Sequence, residues 1–286
     1  MNNLLAKIVI FTPMQSPEIT VIISTYNQPE WLSKVLVGYE CQSIRNFQVI
    51  VADDGSTEDT KKLISTFSKT VNYSLKHIWH EDQGFRKTII LNKAIAVADS
   101  DYLLFTDGDC IPKEDFIETH LRMRKPGWFL SGGYFKLPKG ISELISEKNI
   151  KNQECFDANW LIDQGLESSF KLNKLTAEGW KERFLNFITP TKATWDGMNV
   201  SGWKKDVLLV NGFDERMQYG GEDREIGERL FNLGVKAKQI RYSAICIHLY
   251  HERGYMQPEM ITRNKAIRKV TKRDTVIRTP FGIEKD

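Results

Sequence analysis

Between residues 19 and 109 the chain alternates between two hydrophobic periods, and no other feature constrains its fold so tightly. "ITVIIST" (19–25) is an unbroken apolar run rich in β-branched residues, the pattern of a strand covered on both faces. "WLSKVLVGYECQ" (31–42) then sets Leu32, Val35, Leu36 and Tyr39 at helical spacing. The pair repeats as strand "FQVIVADD" (47–54), helix "STEDTKKLISTF" (56–67), strand "YSLKHIWH" (73–80), helix "KTIILNKAIAVA" (87–98) and strand "DYLLFTDGD" (101–109). Four strands joined by three helices predict an α/β fold with a Rossmann-like, mostly parallel sheet flanked by helices. Ligands of such sheets bind at the carboxyl ends of the strands. Here those ends read "STYN", "ADDGS" and "TDGD".

After residue 110 the pattern loosens. "PKEDFIETHLRM" (112–123) predicts a helix with Pro112 near its start, and "WFLSGGYFKL" (128–137) a strand with a Gly-Gly bend. Residues 138–190 are polar and mostly helical in pattern. Residues 195–234 are dense in glycine, tryptophan and acids, and close on a helix with Ile226, Leu230 and Leu233 along one face. The chain ends in a basic tail, with seven Lys/Arg against Asp274 over residues 261–278. No stripe joins Ile261, Ile267, Val270 and Ile277, so this tail reads either as a solvated, partly disordered end or as a peripheral contact with an anionic membrane.

Composition excludes several classes. A net charge of +3 over 286 residues does not imply nucleic acid as partner, and no 18-residue apolar run is present. The early "LLAKIVIF" is short and broken by Lys7, so no signal peptide is expected and a cytoplasmic setting is. Cys41, Cys110, Cys155 and Cys246 lack metal-ligand spacing and read as reduced, packed thiols.

Each strand end has a bland reading and a chemical one. Thr25, Tyr26 and Asn27 form either a plain turn or a surface that stacks on and hydrogen-bonds a base. Asp53 and Asp54 are either helix caps or acceptors for a ribose or base edge. Arg86 and Lys87 open a helix, where cations oppose the helix dipole unless an anion shares the site. Asp107 and Asp109 leave a buried strand together and repel unless a cation lies between them. An EF-hand loop is excluded, because Cys110 and Ile111 stand where oxygens are required.

These pieces, in this order, resemble glycosyltransferase family 2 of the GT-A fold over roughly residues 19–135. "NGFDERMQYGGEDREIGERL" (211–230) resembles the galactosyltransferase-type C-terminal segment found in β-galactosyltransferases, N-acetylgalactosaminyltransferases and chondroitin-polymerase-like bacterial enzymes. The resemblance implies one GT-A domain with a nucleotide-binding half (19–135), an acceptor and catalytic half (136–255) and a basic tail (256–286). It implies an inverting, metal-dependent transfer from a UDP-sugar to a hydroxyl of a glycan or lipid-linked glycan. Thr25, Tyr26, Asn27, Asp53, Arg86, Asp107 and Asn199 would hold the nucleotide sugar. Asp109, Asp107 and His248 would hold Mn²⁺ or Mg²⁺, with His251 the alternative histidine. Asp223 would be the base, because inversion at an acetal carbon needs a carboxylate on the acceptor face. Glu222 would orient the acceptor or donor sugar. Trp195 and Trp203, just before this segment, read either as core packing or as aromatic faces stacked on an acceptor or donor sugar. One departure is Leu91, where many relatives carry Arg. The competing readings are a sugar nucleotidyltransferase, which lacks support because no glycine follows the first strand, and a non-catalytic binder. A dinucleotide dehydrogenase is disfavoured for want of G-x-G-x-x-G.

Overall fold

The computed structural model describes residues 16–252 and 256–285; "LLAKIVIF", on which the expectation of no signal peptide rests, lies outside them. The strands are β1 (Ile19–Thr25), β2 (Phe47–Asp53), β3 (Ser74–Trp79), β4 (Tyr102–Asp107), β5 (Cys110–Pro112), β6 (Trp128–Ser131), β7 (Gly133–Lys136), β8 (Asn199–Trp203), β9 (Lys236–Gln239) and β10 (Ile245–His248). The first helices are α1 (Pro29–Glu40), α2 (Glu58–Phe67), α3 (Lys87–Ala96) and α4 (Phe116–Met123). A run of short ones follows: α5 (Lys139–Leu144), α6 (Glu147–Lys151), α7 (Ala158–Asp163) and α8 (Asn173–Thr176). The remainder are α9 (Gly179–Ile188), α10 (Lys204–Leu209), α11 (Glu222–Asn232) and α12 (Pro258–Arg273).

Seven strands form the main sheet in the order β3-β2-β1-β4-β8-β6-β9, and β5-β10-β7 form a smaller one. The β3-β2-β1-β4 portion is parallel throughout, and β8 enters antiparallel between β4 and β6. Alternation along β1 explains the two cores. Ile19, Val21 and Ile23 pack to one side with residues of α1, α2 and α4. Ile22 faces the other side with Ile90 and Ile95 of α3 and with Ile226 and Leu230 of α11.

Three local expectations change. The helix expected from residue 112 begins at Phe116, because Pro112 closes β5 opposite Cys246. The strand expected over 128–137 divides into β6 and β7, which belong to different sheets. The tail is ordered: α12 lies on α11, and residues beyond it fold back on the 210–215 turn, where Asn211 Nδ2 donates to the carbonyls of Thr279 (2.8 Å) and Glu284 (2.9 Å).

Candidate active site

The register of β1 and β4 sets Ser24 beside Asp107. Ser24 Oγ donates to Asp107 Oδ1 at 2.6 Å, and Lys87 Nζ, from the first residue of α3, donates to the same oxygen at 2.6 Å. Burial alone would push Asp107 up, but Lys87 and Ser24 outweigh it and hold the carboxyl below its ordinary value. Burial would likewise lower Lys87, yet Asp107, Glu222 and Asp223 keep it above its ordinary value. A cation at a helix start without a capping side chain is thus stabilised by three carboxylates from two other elements.

The short antiparallel pair of β5 and β10 places His248 opposite Cys110. As a result one ligand atom each from Asp109, Cys110 and His248 lies within 4.8 Å of the others, the one such group of three found among the described residues. His248 is 2% exposed, and its Nδ1 is buried with no hydrogen-bond partner. His251 Nε2 stands 3.3 Å from Asp109 Oδ2, and the two imidazoles are 5.3 Å apart. Burial and Asp107 raise the Asp109 carboxyl even against the pull of both histidines. A buried carboxylate short of positive charge beside an orphaned imidazole nitrogen fits a divalent cation held by oxygen and nitrogen donors.

Glu222 and Asp223 open α11, and the preceding Gly220 and Gly221 both have left-handed φ, +110° and +90°. The side of this glycine pair that lacks side chains is filled by α12. A Cβ on Gly220 would meet Ile261 at 3.2 Å, and one on Gly221 would meet the Arg268 guanidinium at 3.0 Å. The two acids diverge as adjacent helical residues must. Glu222 is 8% exposed and accepts from Gly220 N at 2.9 Å. Asp223 is half-buried, with Oδ2 accepting from Gly197 N at 3.2 Å and Oδ1 from Arg224 N at 2.7 Å.

Burial and the neighbouring Asp223 push Glu222 up to about 7. Burial, Asp223 and Asp107 push Asp196 up to about 6. Asp107, Glu222 and Asp223 thus act on Lys87, and Asp196 feels the first and last of these acids. Because the folded pKa of Glu222 is raised, its contribution to stability is present below about pH 4.5 and is lost as pH climbs through about 7. Thermal unfolding of Glu222→Gln should accordingly fall less between those limits than that of the native protein, by on the order of 2 kcal/mol. Parallel pH profiles for the two proteins would remove the burial argument.

The remaining residues named from sequence divide into lining and support. Tyr26 is 45% exposed, with its hydroxyl donating to Asp82 Oδ2 at 2.9 Å. Thr25 Oγ1 is buried without a partner, against the Gly108 turn. Asn27 takes a left-handed φ of 48°, and its Oδ1 accepts from Thr57 N at 2.9 Å. Asp53 is fully buried: Oδ1 accepts from Ser56 N at 2.8 Å and Oδ2 lies 2.9 Å from His77 Nε2. It supports the turn and presents no face to a nucleoside. The Arg86 guanidinium turns toward Gln83 and the carbonyl of Glu81, while its backbone N–H caps onto Asp54 Oδ2 at 2.9 Å.

Three further expectations fail on burial or position. Asn199 is 1% exposed, and its amide is spent on His120 and the carbonyls of Gly133 and Ala244, so it holds strands together and is closed to a sugar. Trp195 is a core residue, 1% exposed, lying against Phe105 and Phe129 and so close to Gly227 that a Cβ there would approach within 2.7 Å. Trp203 pairs with Tyr102 at the opposite end of β4 from Asp107, five residues or about 16 Å away. Lys87 and Asp196 are the cluster members that sequence reasoning undervalued. A cation opening a helix pointed to Lys87, but nothing local separated it from Arg86.

Comparison with known proteins bears on the family and the fold. The family model for glycosyl transferase family 2 matches residues 20–125, and one described as the N-terminal domain of galactosyltransferase matches residues 188–252. A validoxylamine A glucosyltransferase of Streptomyces hygroscopicus is 26% identical over 234 residues, covering 77% of this chain and 52% of the relative. A chondroitin synthase of Escherichia coli is 25% identical over 240 residues, covering 78% and 33%. The chain thus spans between a third and about half of the length of these curated relatives. Among solved structures, a Pyrobaculum calidifontis mannosyltransferase in complex with GDP-Man and Mn²⁺ superposes with a TM-score of 0.56 at 16% identity, covering 92% of this chain and 73% of that one. Residues 1-349 of S. aureus TarS in complex with UDP-GlcNAc give 0.58 at 14% identity, covering 91% and 70%. With its first four strands matched by the one model and its acid-bearing helix by the other, in order, the chain resembles glycosyl transferase family 2 over residues 20–125 and has the GT-A fold.

Proposed function

We propose that the protein transfers a hexosyl or N-acetylhexosaminyl group from a UDP-sugar to a hydroxyl of a glycan or lipid-linked glycan, with inversion. The observation that carries this reading is the convergence of Asp107, Glu222 and Asp223 on the Lys87 ammonium, beside the Asp109–His248 corner. Inversion requires a base on the acceptor side and positive charge on the leaving-group side. Asp223 is the half-exposed acid and takes the acceptor's proton on its carboxylate. Glu222, buried and tied to Gly220 N, orients the sugar. Lys87, with Asp107 as its resting partner, faces the leaving diphosphate. Tyr26 and Asn27 line the nucleoside end, with Thr25 beneath them.

Asp109 and His248 would hold the divalent cation, with His251 next to it and Asp107 at the ribose or at the cation's water. The cation, when bound, supplies positive charge to the departing diphosphate. A nitrogen ligand with carboxylates favours Mn²⁺ over Mg²⁺.

Titration of UDP with and without Mn²⁺, followed by hydrolysis of a panel of UDP-sugars, tests the reading. Manganese-dependent UDP binding and hydrolysis of one or a few donors are expected; no response to any nucleotide sugar would overturn it. In the same assay EDTA should abolish activity and Asp109→Ala should remove the response to added Mn²⁺. His248→Ala should raise the Mn²⁺ needed for half-activity at least about tenfold, and His251→Ala should raise it less. The reverse ranking would move the ligand to His251.

A further inference from the structure

Helix α9 is mounted with its polar side inward. Glu182 accepts from Ser243 Oγ, Asn186 Nδ2 donates to Ser243 Oγ at 2.9 Å, and Tyr242 N donates to Asn186 Oδ1 at 2.9 Å. With Leu185 buried on that same side, these bonds fix the rotation of the helix. The opposite face carries Trp180, Phe184 and Phe187, spaced i, i+4 and i+7, together with Ile188. They are 79%, 51%, 88% and 48% exposed, an apolar stripe turned wholly to solvent. Among the described residues, none packs over it. Lys181 and Arg183 flank the stripe, while Glu182, the acid within the helix, is withdrawn to Ser243.

We propose that this face of α9 seats in the interfacial layer of a lipid bilayer bearing anionic headgroups. Tryptophan and phenylalanine on one side, cations at its margins and an inward-turned acid are what a helix lying in that layer requires. A protein partner would be met equally well by the aromatics, but the placement of charge around them matches an anionic surface. The inference also relocates the membrane contact expected of the basic tail. Four of the seven basic residues in 261–278 are already paired: Arg268 and Lys272 with Glu228, Arg273 with Asp274, and Arg278 with Glu284.

Co-sedimentation of the full chain with vesicles of phosphatidylcholine, alone or mixed with phosphatidylglycerol, tests the proposal without recourse to catalysis. The native protein should pellet with the mixed vesicles. The Phe184→Ser/Phe187→Ser double variant should lose at least about tenfold in partitioning while unfolding at the native temperature. Lys181→Glu/Arg183→Glu should lose binding to the mixed vesicles, and Lys265→Glu/Lys269→Glu should retain it. Should the double serine variant fail to fold, quenching by brominated lipid supplies the second reading: it should fall in Trp180→Phe. Native protein that stays in the supernatant, a double variant that pellets normally, or binding lost only with the tail variant would each overturn the proposal. Self-association that vanishes in the double variant, without vesicle binding, would assign the face to a second copy of the chain instead.

Discussion

Asp223→Asn is expected to lower kcat by two to three orders of magnitude, on the order of what a lost general base costs, and to leave UDP binding nearly unchanged. The choice of Asp223 over its neighbour now rests on geometry. Glu222 is 8% exposed, is bonded back to Gly220 N, and is pushed up to about 7 by burial and by Asp223. Near neutral pH it is therefore partly protonated and faces inward. Asp223 keeps an accessible carboxylate, steadied by the Gly197 and Arg224 N–H groups. The amide of Asn can still accept one of those bonds, so the substitution removes basicity with little loss of position. Single-turnover rates and UDP titrations of Asp223→Asn and Glu222→Gln make the comparison. Near-native turnover in Asp223→Asn together with a severe loss in Glu222→Gln would reverse the two roles.

How much of this site the sequence could reveal depended on the range of the signal. The nucleotide-side sheet was legible because its strands are buried on both faces and its helices have one apolar face, so periodicity reports them directly. The ends of those strands then fall together by topology, which is why "TDGD" and "STYN" could be assigned to one edge. β8 was not legible: "NVSGW" is polar at alternate positions and pairs antiparallel across the chain with Thr106 through Tyr102. Missing that strand misplaced everything on it and before it, so Asn199, Trp195 and Trp203 were assigned to ligands. Asp53 erred differently, since its partners His77 and the Ser56 N–H come from a neighbouring strand and the following turn. The departure at Leu91 has a simple physical account. Leu91 is 4% exposed within the core, and the cation of this region sits one turn earlier, at Lys87. The order of the tail was not legible because its contacts to residues 210–230 are largely polar and specific, with only Ile261 and Ile283 adding apolar contact, leaving no hydrophobic period to detect.

Those same contacts make Arg229 the residue whose loss should cost the fold most. Arg229 is fully buried and forms a fork with Glu225, one helical turn earlier, through Nε at 2.9 Å and Nη2 at 2.7 Å. Its other donors serve the carbonyls of Val210 and Gly212, and Glu225 also accepts from Thr271 Oγ1 at 2.8 Å. One guanidinium thus joins α11, the 210–212 turn and α12. Arg229→Met fills a similar volume but strands the Glu225 carboxylate, 1% exposed, removes the partner of the Gly212 carbonyl and leaves Val210 O only the 3.5 Å bond from Thr279 N. Breaking a buried pair on one side costs about 3–5 kcal/mol, which should lower the unfolding temperature by on the order of 10 °C. Arg229→Lys keeps the charge but cannot reproduce the fork, so it should fall between the two. The double replacement Arg229→Met with Glu225→Leu should recover part of the loss, because the stranded charge is what costs most. Denaturant unfolding of the four proteins measures each step, and a loss below about 1 kcal/mol in Arg229→Met would mean that the network does not brace the helix. Since Glu222 and Asp223 begin that helix, the same variant should also lose turnover at temperatures where it remains folded, linking a buried ion pair to the position of the proposed base.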